Sequence, residues 1–363
     1  MKAAVLNSIP GRLDIEDVEI GEPGPREVLI RTVAAGLCHS DLHFMEGTYS
    51  HACPAVLGHE SAGVVQAVGS MVRYVQPGDH VITCLSAFCG HCSYCTNGQM
   101  SLCANKDTEL VRQSGEPPRL HRADGEPVYQ FLHLSSFAEK MLVHEHAVVR
   151  IDPDMPLDKA ALIGCGVTTG LGAVFRTAGV APGETAVVIG CGGVGLSAVQ
   201  GARIAGANRI VAVDMAESKL ELARQLGATH TVDASQDDVL ERVRAITGDG
   251  AHHVFEAVGL KQTAEQAYRM LRRGGQATVI GLIPIGTMIE VHGVELTYEK
   301  TLTGSSMGSN QFRTDMPRYV DMYLGGRLHL DEMVSKTIGL DEINHGFDDM
   351  KAGNVARSVI AFD

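Results

Sequence analysis

Residues 187–199 read VVIGCGGVGLSAV, an apolar run followed by a glycine-rich turn and a second apolar segment. Three glycines of the turn match the pattern G-x-G-x-x-G, which in a βαβ unit joins a buried strand to a helix. Small residues there let the backbone approach a dinucleotide pyrophosphate at the helix N-terminus. The cofactor-binding residues expected in this turn are Gly190, Gly192, Gly193, Val194 and Gly195. Because the pattern alone is weak, the flanking sequence decides its meaning.

The sequence on either side of the turn alternates between buried strands and helices. These segments are ETAVVIG (184–190), GGVGLSAVQGARIAGA (192–207), RIVAVD (209–214) and ESKLELARQLGA (217–228). The alternation predicts a parallel sheet, which HHVFEAVG (252–259) and GGQATVIGL (274–282) continue to about residue 300. Asp214 ends the second strand, nineteen residues after the last glycine of the turn, where a carboxylate can bind the ribose hydroxyls. Met215 and Ala216 offer no cation for a 2′-phosphate, so we expect NAD rather than NADP.

The first 150 residues have a different texture, in which short strands alternate with glycine and proline. Strand candidates there are EVLIRTVAAGLC (27–38), SAGVVQAVGSMV (61–72) and QPGDHVIT (76–83). Residues 105–133 are polar and rich in glycine and proline, and we predict a surface excursion without secondary structure. The chain ends on another strand candidate, ARSVIAFD (356–363). The sequence therefore predicts an α/β protein with a mostly β module and a doubly wound parallel sheet.

Composition limits the range of possible functions. The 363 residues exceed the usual size of one hydrophobic core, so two domains are expected. The formal net charge is −13 and the basic residues are scattered, which argues against nucleic acid and anionic membranes as partners. The N-terminal apolar run is too short for a signal peptide, so we expect a cytoplasmic protein. Thiols stay reduced there, and nine cysteines then favour metal binding or catalysis over disulfides.

Four of the cysteines lie within fifteen residues and have the spacing C-x2-C-x2-C-x7-C. They are Cys89, Cys92, Cys95 and Cys103. Four thiolates can surround one tetrahedral zinc ion and leave no position for water or substrate, which is typical of a structural site. Unpaired surface thiols and an iron–sulfur cluster are the alternatives, although the spacing does not match the common cluster-binding runs.

A second, dispersed set has the composition of a catalytic zinc site. Cys38, His59 and Cys165 supply two thiolates and an imidazole, and three protein ligands leave the fourth position open. Each of them alone could equally be a packed core residue. Asp41 can accept a hydrogen bond from the ligating histidine and so fix its tautomer, unless it is a solvated loop aspartate. Cys53, Cys84 and Cys191 have no assigned role, and packing is the default interpretation.

With the glycine turn and both cysteine sets, the sequence resembles the zinc-dependent medium-chain alcohol dehydrogenase family over essentially its whole length. The resemblance implies a GroES-like catalytic domain, 1–166 with 307–363, and a Rossmann NAD-binding domain, 167–306. It also implies two zinc ions per subunit, a structural one at the four clustered cysteines and a catalytic one at the dispersed set. Glu60 matches the glutamate that lies close behind the catalytic metal.

The resemblance further implies a mechanism, in which zinc polarises the alcohol oxygen and hydride passes from the carbinol carbon to NAD. Ser40 and His43 match the relay that carries the proton away, and a loop serine and a loop histidine are the alternatives. His39 takes the place of an arginine that meets the pyrophosphate, which predicts weaker and pH-sensitive binding of NAD(H). Lys219 and Arg357 match cofactor-contacting positions, and each could instead be a solvated surface cation.

The expected substrate is a small alcohol or aldehyde, with a hydrophobic or aromatic primary alcohol favoured. Positions that match the family's substrate wall are Tyr49, Leu85, Phe131, Leu132 and Leu282, although each could be core packing. Thiol-dependent formaldehyde dehydrogenase is the alternative, but its glutathione-linked branch has an acidic residue where Tyr49 stands. A zinc-free quinone reductase and a non-catalytic NAD-sensing protein fit poorly, because every metal-ligand position is filled. The family forms homodimers and homotetramers, so a homo-oligomer is expected.

Overall fold

A computed structural model describes residues 1–236, 238–353 and 355–362. The chain divides into two compact units, one of Met1–Cys165 with Gln311–Asp363 and the other of Gly166–Asn310. That the domains expected from the sequence, 1–166 with 307–363 and 167–306, fold independently stays a prediction.

Nineteen strands are described in these residues. In chain order they are β1 (Lys2–Leu6), β2 (Leu13–Asp17), β3 (Glu19–Ile20), β4 (Glu27–Gly36), β5 (Ala55–Val56), β6 (Glu60–Val68), β7 (His80–Thr83), β8 (Leu120–His121), β9 (Pro127–Gln130), β10 (Lys140–His144), β11 (Val148–Arg150), β12 (Thr185–Ile189), β13 (Arg209–Asp214), β14 (His230–Asp233), β15 (Ala251–Glu256), β16 (Leu271–Val279), β17 (Thr301–Gly304), β18 (Lys336–Ile338) and β19 (Ser358–Ala361).

Twelve α-helical segments are described between the strands. They are α1 (His39–Met45), α2 (Ser93–Thr96), α3 (Lys106–Glu109), α4 (Leu157–Leu162), α5 (Thr168–Gly172), α6 (Gly193–Ala205), α7 (Glu217–Leu226), α8 (Val239–Thr247), α9 (Lys261–Arg269), α10 (Gly293–Leu296), α11 (Phe312–Leu324) and α12 (Ile343–Lys351). The π-helical stretch Ile163–Val167 joins α4 to α5, and a second one, Ala173–Ala178, extends α5, so that Leu157–Ala178 form one helix.

The unit of Met1–Cys165 with Gln311–Asp363 is built on two sheets. A seven-stranded sheet has the order β11-β7-β6-β4-β19-β18, with β10 also paired to β4. A six-stranded sheet has the order β2-β1-β5-β9-β8-β3. Most neighbours in both sheets are antiparallel, so the mostly β module expected from the sequence is confirmed.

The unit of Gly166–Asn310 has one parallel sheet in the order β14-β13-β12-β15-β16-β17, with helices between successive strands. This is the doubly wound sheet that the alternating sequence predicts. The strands are apolar because both faces are covered, and Val187, Val211 and Val254 are fully buried. Burying such a side chain contributes about 1.5–3 kcal/mol, so the centre of the sheet stabilises the position of the loops at its edge.

The continuous helix of residues 157–178 is apolar and long enough to cross a membrane by length and composition alone. However, 83% of its most apolar 18-residue window is buried inside the structure. It therefore has the character of a core helix.

Two details of the sequence-based prediction change. Residues 105–133 are not without secondary structure, because they contain α3 and the strands β8 and β9. These two strands pair with each other, and β8 also pairs with β3 and β9 with β5, which lie far away in the sequence. The terminal strand is shorter than the predicted 356–363, and Asp363 lies outside the described residues.

Candidate active site

Strand pairing brings two of the predicted metal ligands to the same end of the seven-stranded sheet. β4 and β6 are antiparallel neighbours, and Gly36 at the end of β4 is paired with Glu60 at the start of β6. Cys38 follows β4 and forms the N-cap of α1, while His59 immediately precedes β6. Residues separated by about twenty positions in the sequence therefore meet because of the register of this pair.

The third ligand arrives on a helix that lies unusually close to the sheet. A Cβ atom on Gly164 would come within 2.9 Å of the Thr83 carbonyl oxygen and 3.2 Å of the Ser61 amide nitrogen. Glycine at this position thus allows the close approach that places its neighbour Cys165 at the strand ends. The helix is π-helical over Ile163–Val167, a local widening that often accompanies functional sites.

The ligand atoms of Cys38, His59 and Cys165 all lie within 4.8 Å of one another. The three residues are 6%, 1% and 5% exposed, so the site is nearly closed to solvent. His59 Nδ1 lies 3.1 Å from Asp41 Oδ1, which leaves Nε2 as the ligand atom. Asp41 is fully buried on α1 and also accepts a hydrogen bond from the Gly58 amide, so it is not a solvated loop residue.

The charges around these atoms suit a divalent cation. Two cysteines and the buried carboxylates of Asp41 and Glu60 are potential anions, and burying anions without a compensating cation is costly. A hydrogen bond from Cys165 and the nearby imidazole of His59 lower the pKa of Cys38 well below that of an ordinary thiol. A thiolate is the form that binds metal, so two sulfur ligands and one imidazole fit zinc with an open fourth position.

Arg357 is a buried cation in the same cluster, not a surface residue. It is 4% exposed, donates a hydrogen bond of 2.9 Å to the Leu37 carbonyl, and lies 3.4 Å from Glu60 Oε2. Burial alone would lower its pKa, but the nearby charges of Glu60, Cys38 and Cys165 together outweigh this effect and raise the pKa above the usual value. The predicted contact of Arg357 with the cofactor stays a prediction.

The four clustered cysteines also converge, and their Sγ atoms lie within 4.8 Å of one another. Backbone amides stabilise this arrangement. The Cys89 amide lies 3.3 Å from Cys103 Sγ and the Cys92 amide lies 3.3 Å from Cys89 Sγ. A cluster of four sulfurs whose lone pairs accept amide hydrogens is ready to bind zinc as thiolates.

In the parallel-sheet unit the glycine turn has two kinds of glycine. A Cβ atom on Gly195 would lie 1.8 Å from the Gly190 carbonyl oxygen, and Gly190 itself has a φ of 91°, so these two serve the geometry of the turn. A Cβ atom on Gly192 would meet nothing within 4 Å. Among the described residues no side chain caps α6, which leaves the space and the N-terminal amides that a pyrophosphate needs.

Asp214 has a role that the sequence did not reveal. Its carboxylate accepts hydrogen bonds from the Cys191 amide at 2.7 Å and from the Ala216 amide at 3.0 Å. It therefore holds the glycine turn to the end of β13. Each carboxylate oxygen keeps a lone pair, so contact with the ribose hydroxyls is compatible with this role. Lys219 is half-buried in the first turn of α7 nearby.

The predicted relay residues lie on α1, not in a loop. Ser40 Oγ is 3.7 Å from Cys38 Sγ. The His43 ring is 6.1 Å from the ring of Tyr49, edge to face. His39 is exposed at the first position of the helix.

Aromatic rings form a continuous wall beside His59. The Phe131 ring is fully buried and lies 5.8 Å from the His59 ring and 4.7 Å from the Phe44 ring. The Phe44 ring in turn lies 5.6 Å from the Tyr49 ring, and the His51 ring lies 5.5 Å from the Phe131 ring. Phe44 and His51 were missed in the sequence, where only their closeness to the predicted ligand helix could have drawn attention to them.

The other predicted wall residues are distributed differently. Leu132 packs beside Phe131 in the same apolar cluster, whereas Leu85 packs against a separate cluster. Leu282 belongs to the parallel-sheet unit and is 46% exposed. Among the unassigned cysteines, Cys84 and Cys191 are fully buried and Cys53 is half-buried, as packing predicts.

Comparisons with known proteins agree with this geometry. Residues 24–153 match the alcohol dehydrogenase GroES-like domain and residues 193–323 match the zinc-binding dehydrogenase family. The chain is 40% identical to the NDMA-dependent alcohol dehydrogenase of Amycolatopsis methanolica, over 99% of this chain and 98% of the relative. It is 36% identical to the S-(hydroxymethyl)glutathione dehydrogenase of Saccharomyces cerevisiae, over 99% and 96% of the two chains.

A solved structure, the benzyl alcohol dehydrogenase of Acinetobacter calcoaceticus, is 32% identical and superposes with a TM-score of 0.94, covering 100% of this chain and 99% of that one. Family matches cover both units, and relatives align over nearly the full length. The chain therefore belongs to the zinc-dependent medium-chain alcohol dehydrogenase family, whose cofactors are zinc and NAD.

Proposed function

We propose that the protein oxidises hydrophobic primary alcohols with NAD, prefers aromatic ones, and also catalyses reduction of the corresponding aldehydes. The observation that carries this proposal is the buried ring of Phe131, which lies 5.8 Å from the ring of the proposed zinc ligand His59. A substituent next to the reacting carbon would meet aromatic edges there, and such contacts favour an aromatic partner. The similarity to a protein named benzyl alcohol dehydrogenase supports the same substrate class.

In this proposal zinc, when bound, supplies the Lewis acid that polarises the alcohol oxygen. The protein's own residues orient the ligand, balance charge and move the proton. Asp41 orients His59 through its hydrogen bond to Nδ1, and Glu60 is balanced by Arg357. Ser40 accepts the hydroxyl proton as it gives up its own, and His43 carries the released proton towards solvent. The burial of the three ligands excludes bulk water, which strengthens the electrostatic interactions inside the site.

Thiol-dependent oxidation of formaldehyde is the second candidate, because several relatives are named S-(hydroxymethyl)glutathione dehydrogenase. The wall formed by His43, Phe44, Tyr49, His51 and Phe131 argues against it. These rings carry no carboxylate, whereas the glutathione-linked branch has an acidic residue at the position of Tyr49. The wall therefore supports an apolar substituent better than a charged peptide.

The test is kcat/KM for NAD reduction, followed by NADH absorbance, with ethanol, hexanol, benzyl alcohol, cinnamyl alcohol and formaldehyde. Formaldehyde is assayed with and without glutathione and other low-molecular-weight thiols. We expect the highest kcat/KM for benzyl and cinnamyl alcohols. Activity confined to the thiol adduct of formaldehyde would overturn the proposal and assign the protein to the thiol-dependent branch.

A further inference from the structure

A histidine and a glutamate lie directly beside the four clustered cysteines. His91 Nε2 is 2.6 Å from Glu109 Oε2, and the two side chains are 64% and 40% exposed. Their ligand atoms and Cys89 Sγ all lie within 4.8 Å of one another. Cys89 therefore belongs to two sets of metal donors, the buried cluster of four sulfurs and an exposed set with nitrogen, oxygen and sulfur.

The burial of the cysteines indicates the side from which a metal ion reaches the cluster. Cys95 and Cys103 are 7% and 6% exposed, whereas Cys89 and Cys92 are half-buried. An ion coming from solvent thus meets the side of Cys89 and Cys92 first. His91 lies between these two cysteines in the chain, and its side chain is exposed to solvent.

We propose that Cys89, His91 and Glu109 form an exchange site through which Zn²⁺ enters and leaves the four-cysteine cluster. Imidazole nitrogen, carboxylate oxygen and thiolate are all zinc ligands, and hydrated Zn²⁺ exchanges water for them without any redox change. A zinc ion held there would keep Cys89 as a ligand while the thiolates of Cys92, Cys95 and Cys103 replaced His91 and Glu109, and the thiol protons would pass to water. This inference rests on the proposed structural-zinc role of the cysteines, not on the proposed substrate.

A purely structural role for the pair makes a different prediction. Asn105 Nδ2 donates a hydrogen bond of 2.7 Å to Glu109 Oε1, so Glu109 connects His91 with the start of α3. If this were its whole function, removing the pair would loosen the segment and, if anything, speed the loss of zinc. An exchange site predicts the opposite sign.

Removing His91 or Glu109 must change the rate of zinc loading and the rate of zinc release together. His91 and Glu109 are not ligands in the final four-thiolate complex, so they lower the barrier to exchange without changing the energy of the loaded state. Their loss should slow loading and release by the same factor and leave the zinc affinity unchanged. We expect the rates of loading and release to fall about tenfold, which corresponds to about 1.4 kcal/mol on the barrier.

The experiment uses the full chain loaded with zinc. A chelator is added, and native mass spectrometry counts zinc ions per subunit over time; reloading is then followed with Zn²⁺ alone. Zinc should be lost in two kinetic phases. The phase that disappears in His59→Ala is the loss of zinc from Cys38, His59 and Cys165, and the remaining phase is the loss of zinc from the four-cysteine cluster. The assignment needs no alcohol substrate, so failure of the proposed function would not affect it.

The variants are His91→Ala and Glu109→Gln, the second of which keeps a hydrogen-bonding side chain but loses the charged ligand. His121→Ala is the matched control, because His121, 27% exposed, faces the 61% exposed Glu19 at 3.5 Å outside the cysteine cluster. We expect both variants to slow loading and release of the four-cysteine zinc about tenfold, while the control behaves as wild type. Unchanged rates, or faster release, would overturn the proposal.

Discussion

Asp41 shows how one buried carboxylate can orient a predicted metal ligand. It accepts hydrogen bonds from His59 Nδ1 and from the Gly58 amide, both at 3.1 Å. Burial raises the pKa of Asp41, although the nearby His59 favours its charged form. A residue in this position fixes both the tautomer and the ring orientation of the ligand.

Replacing Asp41 with asparagine should therefore weaken zinc binding at the Cys38, His59 and Cys165 set about 10- to 100-fold and lower kcat/KM to match. Zinc content after competition with a chelator and NADH formation measure the two effects. Asp107→Asn is the control, because Asp107 pairs with His133 at 2.8 Å but is 73% exposed. Equal zinc affinity in wild type and Asp41→Asn would contradict the proposed role.

Phe44 is one of the two residues of the aromatic wall, with His51, that the sequence did not reveal. Its ring joins Phe131 to Tyr49, with centroid distances of 4.7 Å and 5.6 Å. Phe44→Leu keeps an apolar side chain but removes the ring contacts, each worth about 0.5–1.5 kcal/mol. We expect kcat/KM for benzyl alcohol to fall about tenfold and that for hexanol to change much less.

The control for this substitution is Phe347→Leu. Phe347 is 2% exposed and forms a similar ring pair with Phe137, 6.0 Å away, in the apolar core. It should lower the free energy of unfolding but leave the ratio of the two kcat/KM values unchanged. If Phe44→Leu also left this ratio unchanged, the wall would not select the substrate.

Sequence reasoning identified residues whose chemistry is rare and missed those whose chemistry is common. Cysteines and histidines in short motifs are scarce enough to suggest metal binding, and the structure brings Cys38, His59 and Cys165 together. Phe44 is an ordinary core residue by type, so only its contacts distinguish it. By sequence Arg357 could be a surface cation at the start of a strand candidate, and its burial follows from the position of β19 beside β4.

At the start of α6, one glycine leaves room for a ligand and another is required by close packing of the backbone. Gly192 forms the N-cap and faces open space, whereas Gly195 lies against the Gly190 carbonyl. Both belong to the same three-glycine pattern in the sequence. Their substitution should therefore affect different properties of the protein.

Gly192→Ala should raise the Kd for NADH at least tenfold, a loss of about 1.4 kcal/mol, because the added methyl group fills the space expected for the pyrophosphate. The free energy of unfolding should change by less than about 1 kcal/mol, the usual effect at an N-cap. Gly195→Ala should instead lower the free energy of unfolding by about 3 kcal/mol through overpacking. Fluorescence titration with NADH and urea unfolding measure the two properties. An undiminished affinity for NADH in Gly192→Ala would contradict this division.

The end of β13 carries the residue expected to select NAD. Asp214→Asn removes the charge that repels a 2′-phosphate and weakens the hydrogen bonds to the Cys191 and Ala216 amides. The ratio of kcat/KM with NAD to that with NADP should fall at least tenfold, since a hydrogen bond to a charged group contributes about 1.5–3 kcal/mol. The control is Asp233→Asn, because Asp233 occupies the paired position on β14. A ratio that is equally low in both variants would rule out a specific role for Asp214.

Secondary structure was predictable where the pattern is local. The strands β12 and β13 are continuous apolar runs, because both faces of a parallel sheet are covered, and their bounds lie close to the predicted ones. The short strands β8 and β9 were not predictable. Residues 105–133 have a loop-like composition, and these strands pair with each other and also with the distant strands β3 and β5.

Long-range ion pairs hold this polar region to the body of its unit. Glu27 on β4 is 5% exposed and accepts hydrogen bonds of 2.6 Å from both Arg112 and Arg119. Arg119 also donates to the Leu110 carbonyl and to Gln130, at 2.8 Å each. The glutamate and the two arginines are more than eighty positions apart in the sequence, so no local pattern could have paired them.

This ion-pair cluster should make the stability of the protein depend on pH. Burial alone would raise the pKa of Glu27, but the hydrogen bonds from Arg112 and the charge of Arg119 outweigh burial and lower it from 4.5 to about 2. A group whose pKa is lowered by folding stabilises the folded state above its unfolded pKa. That contribution, up to about 3 kcal/mol, should be complete above about pH 5 and lost as the pH falls towards 2.

Glu27→Gln tests this dependence directly. At pH 7 the variant leaves two arginines, one of them buried, without their counter-charge, so its free energy of unfolding should be about 3 kcal/mol below that of wild type. The difference should shrink as the pH falls from 5 towards 2, because the wild-type carboxylate then contributes less and less.

Urea midpoints measured across this range for wild type, Glu27→Gln and Glu126→Gln provide the comparison. Glu126 pairs with Arg122 in an exposed position, so its loss should cost less than about 1 kcal/mol at every pH. A difference between Glu27→Gln and wild type that stayed constant with pH would show that Glu27 acts through packing and not through its charge.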